Sequence, residues 1–72
     1  MSKLDYKLVS SAIIETLERS GALQYDELFA KVGRLHSELN EVNFQEFIME
    51  LEIKGLIRVY DMARGIRRIE IA

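Results

Sequence analysis

The sequence predicts an α+β fold in one domain spanning residues 1–72, with three helices, one short strand and a C-terminal two-stranded β-hairpin. Three observations predict it. Apolar residues recur at helical spacing in three separate segments. Four glycines, Gly21, Gly33, Gly55 and Gly65, punctuate a chain that has no proline. The last stretch, LIRVYDMARGIRRIEI, sets two runs rich in β-branched residues on either side of a glycine-containing loop.

The first helix is expected over about residues 5–20, where Tyr6, Val9, Ile13 and Leu17 form an apolar side and Lys7, Ser11, Glu15 and Glu18 a polar one. Gly21 ends it, and Ala22–Leu23 is a short extended piece. The second helix is expected over about 25–33. Asp26 and Glu27 face the positive end of its dipole, Leu28 and Val32 point inward, and Gly33 is its stop. After the linker RLHSEL, Asn40 caps a third helix over about 41–54, whose buried stripe is Phe44, Phe47, Ile48 and Leu51. Gly55 ends that helix, and a hairpin over about 56–71 follows around DMARG, where Gly65 takes a positive φ. In the expected register Tyr60 pairs with Ile66, Arg58 stands opposite Arg68, and Ile57 and Ile69 face the core with Ile71 beside them.

Composition excludes several function classes. The chain has no cysteine and a single histidine, His36, so no zinc set is recognisable and no cofactor is expected. Ser37 beside His36 does not make a nucleophile–base pair, because that arrangement needs a third, orienting group in space. No catalytic residue is assigned. No apolar run reaches the length of a membrane span and MSKLDYK has no apolar signal segment, so a cytoplasmic protein is expected.

Net charge is −2, unevenly distributed. Residues 38–57 hold Glu38, Glu41, Glu46, Glu50 and Glu52 against Lys54 alone, whereas residues 58–72 hold Arg58, Arg64, Arg67 and Arg68 against Asp61 and Glu70.

Two segments resemble the winged helix-turn-helix family. GALQYDELFAKVG is similar to the entry into the family's second helix, matching at Gly21, Leu23, Glu27 and Leu28, with Gln24 where Ser or Thr is usual. LNEVNFQEFIMELEIKGLI resembles the third helix and the opening of the wing, through Leu39, Asn40, Phe44, Ile48, Leu51 and Gly55-Leu56-Ile57. The resemblance covers Asp5 to Ile71 and implies a DNA-binding protein, a small transcriptional regulator or chromatin-associated factor acting as a dimer on double-stranded DNA. It places Asn43, Gln45 and Met49 toward the major groove, Arg58, Arg64, Arg67 and Arg68 on phosphate or the minor groove, and Lys31, Arg34 and His36 as outer contacts.

The residues themselves point two ways. Outward positions of the third helix are Glu41, Val42, Gln45, Glu46, Met49, Glu50 and Ile53, of which only Gln45 is an ordinary base reader. Carboxylates there oppose a polyanion. In the hairpin, Arg58 opposite Arg68 would be relieved by a phosphate between them; equally, the arginines serve as edge protection or as partners for Glu70 and Asp61. The alternative function is a protein–protein interaction module whose docking face is Val42, Met49 and Ile53, with Leu8 as a further exposed apolar residue, for a second protomer or another protein.

Overall fold

A computed structural model describes residues 4–72; Met1, Ser2 and Lys3 lie outside the described residues. The elements are α1 (Tyr6–Ser20), β1 (Leu23–Gln24), α2 (Tyr25–Leu35), α3 (Glu41–Ile53), β2 (Ile57–Asp61), a 3-10 turn (Ala63–Gly65) and β3 (Arg67–Ile71). The order is compatible with a winged-helix arrangement. β1 is not isolated: Leu23 pairs with Ile69 and Gln24 with Arg68, which makes one antiparallel three-stranded sheet in the order β1-β3-β2.

Local chemistry accounts for the helix ends. The Asp5 carboxylate accepts from Leu8 N–H at 3.1 Å and Asn40 Oδ1 from Asn43 N–H at 2.8 Å, each satisfying a donor the helix leaves free. At α2, Glu27 Oε1 reaches back to the Gln24 N–H at 3.3 Å, so glutamine at the cap position is supported by the acidic residue three places on. α3 closes with Leu56 N–H on the Leu51 carbonyl at 3.0 Å and Gly55 N–H on Glu52 at 2.9 Å, with Gly55 at φ 80°. This paired closure requires a left-handed residue, which glycine supplies without a Cβ penalty.

Gly33 does not end α2. It lies inside the helix without a positive φ, and the helix runs on to Leu35 before His36 N–H closes it on the Val32 carbonyl at 3.0 Å. Glycine weakens a helix interior by roughly 0.5–1 kcal/mol but does not forbid it, and Leu28 and Val32 on the buried face hold this one in place.

The core lies between the three helices and one face of the sheet. Val9, Ile13, Leu17, Leu28, Val32, Phe44, Ile48, Leu51, Ile57 and Ile69 are buried, with Tyr25 and Leu39 at its margin. Phe44 sits centrally, its ring 5.1 Å from those of both Tyr25 and Phe29. Two residues expected on the core side, Tyr6 and Ile71, sit further out, as does Leu56 at the opening of the hairpin. Tyr6 is exposed on one side, stacked on Phe47 at 5.5 Å, with Lys54 donating to its hydroxyl at 2.9 Å. Leu56 and Ile71 are exposed as well. Lys54 follows the last turn of α3 as its cap rather than belonging to it.

Candidate interaction surfaces on the hairpin and third helix

The hairpin register differs from the expected one by two residues. Tyr60 pairs with Arg68, Arg58 with Glu70, Val59 with Ile69 and Ile57 with Ile71. The cause is the loop. Asp61 and Arg67 remain paired, so the reversal is made by Met62–Ile66, with Met62 N–H on the Ile66 carbonyl at 2.6 Å. Within it Arg64 and Gly65 are both left-handed, at φ 66° and 73°. A slip of two residues keeps every side chain on its expected face but changes its partner. The expected opposition of Arg58 and Arg68, and with it the reason for a phosphate between them, is therefore absent.

Each arginine has its own surroundings. Arg58 lies on the outer sheet face beside Tyr60 and opposite Glu70. Hydrogen bonding to the Tyr60 hydroxyl, and secondarily the Glu70 carboxylate, hold its guanidinium above its ordinary pKa. Tyr60 in turn donates to Glu70 Oε2 at 3.1 Å. Arg68, on the same face, stands between Gln24 of β1 and Tyr60 of β2.

Arg67 alternates to the inner face, where its guanidinium lies 4.1 Å from the Tyr25 ring centre. That is a cation–π contact on a residue itself packed edge-on against Phe44. Burial pushes the Tyr25 phenol above its ordinary pKa, and the Arg67 charge pulls in the opposite direction. Arg64 is exposed at the tip and lines, with Arg67, Gln24 and Asp26, a cleft of about 240 Å³ between the hairpin loop and the start of α2.

The other expected DNA contacts are dispersed. Lys31 and Arg34 line a shallow cleft with Thr16, Arg19 and Leu35, at the ends of α1 and α2. His36 caps α2. Asn43 borders a groove with Leu4, Tyr6, Glu46 and Phe47. Gln45 and Met49 lie on the solvent side of α3.

α3 has two apolar faces. Phe44, Ile48 and Leu51 are buried, while Val42, Met49 and Ile53 are 68%, 52% and 81% exposed. On a helix advancing 100° per residue those three fall within roughly 40° of one another, nearly opposite the core stripe. Glu46 lies among them, with Glu41, Gln45 and Glu52 on one flank and Glu50 on the other, all exposed. Lys54, just past the end of the helix, lies 4.0 Å from Glu50.

Comparison with protein-family models, curated proteins and solved structures finds no match. The reading of these surfaces rests on their own chemistry.

Sequence reasoning identified the outward set on α3, because helical spacing alone separates Val42, Met49 and Ile53 from the core. It missed Tyr25 as the platform for Arg67 and the Tyr60–Glu70 bond. The first depends on the pairing of β1 with β3, and the second on a hairpin register that no residue in the loop announces: Arg64, the first left-handed residue, is not a type that marks such a turn.

Proposed function

We propose that this chain is a winged-helix protein-interaction module that docks a partner on the outward face of α3. The observation that carries the reading is the second apolar stripe, Val42, Met49 and Ile53, laid along the helix and bordered by carboxylates. Isolated exposed apolar residues are ordinary, but an aligned set on a rigid helix is a contact surface. Its complement is an amphipathic helix whose apolar residues are flanked by lysine or arginine. Self-pairing through this face is disfavoured, since a two-fold contact would set the glutamates of one α3 against those of the other.

Fluorescence anisotropy with two designed helical peptides tests this. Both carry leucines at i, i+3, i+4 and i+7; one is flanked by lysines and the other by glutamates. The lysine peptide binds, more weakly as salt rises, and the glutamate peptide does not. Met49→Ser with Ile53→Ser abolishes binding while leaving the fold intact. Equal binding of both peptides, or indifference to the double substitution, refutes the reading.

DNA binding through the hairpin is the second reading, favoured by the exposure of Arg64 at the tip and Arg68 on the outer face. In that role the chain is a small regulator or chromatin-associated factor held by phosphate contacts. Titration of random-sequence duplex at several salt concentrations examines it. If Arg64 and Arg68 each neutralise one phosphate, replacing both by alanine flattens the log–log salt slope by about 2. No detectable binding at low salt removes this reading.

A further inference from the structure

The ladder between β2 and β3 has a phase that leaves one strand edge open. Ala72 N–H donates to the Leu56 carbonyl at 3.1 Å, and Met62 N–H to the Ile66 carbonyl at 2.6 Å. In an antiparallel pair the hydrogen-bonded positions alternate. Arg58 and Tyr60, together with the Leu56 carbonyl and the Met62 N–H, are therefore the groups of this strand spent on the β3 side, the Leu56 N–H being taken by the Leu51 carbonyl. Ile57, Val59 and Asp61 direct theirs the other way, and β2 is an outer strand of the β1-β3-β2 sheet. No helix or strand among the described residues pairs with that edge. A groove of about 430 Å³ runs beside it, lined by Glu52 and Gly55 as well as Ile57, Val59 and Tyr60. The strand is regularly paired on its other side, and it carries neither proline nor lysine, two residues that commonly blunt an edge.

We propose that this edge pairs, antiparallel and about a two-fold axis at Val59, with β2 of a second copy of the chain. The side chains favour that occupant and that register. Val59 meets its own counterpart, Ile57 meets Asp61, and Arg58 of each copy falls opposite Tyr60 of the other. Across the outer face the row then reads Glu70, Arg58, the second copy's Tyr60 and the second copy's Arg68, with no two like charges adjacent. An axis at Arg58 would oppose two guanidinium groups directly, which destabilises a ladder. An axis at Tyr60 would carry the pairing into the loop. A shift by one residue would turn inner faces against outer ones. Only the Val59 register uses the open N–H and C=O groups of Ile57, Val59 and Asp61 in both strands. The product is one continuous six-stranded sheet.

Light scattering coupled to size exclusion, over a dilution series, gives a mass twice the 8.4 kDa of the chain at the concentrated end, falling toward one chain on dilution. In a mixed-label sample, an Hα–Hα contact between Arg58 of one copy and Tyr60 of the other marks the register, because this is a close, non-hydrogen-bonded pair. Val59→Pro removes the central open donor, which β3 does not use, and weakens self-association at least tenfold. Should that variant fail to fold, N-methylation of the Val59 amide in synthetic protein removes the same donor and keeps the side chain. A single-chain mass at every concentration, a dimer indifferent to loss of the Val59 donor, or intermolecular contacts confined to another surface overturns the proposal.

Discussion

Replacing Arg67 by alanine is expected to lower stability, although Arg67 belongs to a basic hairpin where such a change would ordinarily be neutral. Its guanidinium lies 4.1 Å from the centre of the Tyr25 ring, and Tyr25 is 7% exposed and packed against Phe44. Cation–π contacts range from about 0.5–1 kcal/mol at exposed sites to about 2 when desolvated; with Arg67 half-buried, about 1 kcal/mol is expected. In a domain of this size that corresponds to a fall in Tm of roughly 4–8 °C. Thermal unfolding of Arg67→Ala, Tyr25→Leu and the double variant isolates the contact as a coupling energy of about 1 kcal/mol. Arg68→Ala, on the outer face, is expected to stay within about 0.5 kcal/mol of the parent. Tyrosinate absorbance supplies a second readout. Burial raises the Tyr25 pKa and Arg67 offsets part of that rise, so Arg67→Ala moves it further up. Zero coupling in the thermal cycle, or a Tyr25 pKa that falls on loss of Arg67, would refute the assignment of Arg67 to the core margin.

Gly33→Ala is expected to stabilise the fold by about 0.5–1 kcal/mol, because the residue is inside α2 and a Cβ there meets nothing within 4 Å. Gly55→Ala has equal space but a φ of 80°, so a loss of about 1–2 kcal/mol is expected; urea unfolding of the two variants gives opposite signs. Asn40→Ala removes the α3 cap and is expected to cost about 1 kcal/mol, read as a drop in the urea midpoint at unchanged slope. The raised Tyr25 pKa also sets an alkaline limit. The unfolded tyrosine loses its proton near pH 10 while the folded one still holds it, so stability present below that pH declines as pH rises through the folded pKa. Tyr25→Phe is expected to remove that part of the decline in denaturation curves recorded above pH 10.

The elements that were legible in the sequence are those whose ends are made by local chemistry. Asn40 with its cap bond and Gly55 with its left-handed closure delimit α3 without reference to the rest of the chain. Gly33 misled because glycine reads as a stop, whereas burial of Leu28 and Val32 on the core side carries α2 past it. The hairpin was legible as a hairpin, yet its register was not. Two adjacent left-handed residues, one of them an arginine, move the reversal one place and so shift each cross-strand partner by two, and only that placement pairs Arg58 with Glu70. The candidate site divides along the same line. The exposed stripe on α3 follows from spacing within one helix, while the contact of Arg67 with Tyr25 joins residues from opposite parts of the chain and follows only from the β1–β3 pairing.

On the function proposed above, the outward face of α3 receives a basic amphipathic helix and not DNA. Amide chemical-shift mapping of the labelled chain, titrated separately with the lysine-flanked peptide and with random-sequence duplex, tests it residue by residue. The peptide is expected to perturb a contiguous set centred on Val42, Gln45, Glu46, Met49 and Ile53, and any perturbation by duplex to be confined to the hairpin around Arg64 and Arg68. Perturbation of that α3 set by duplex, with none by the peptide, would contradict it.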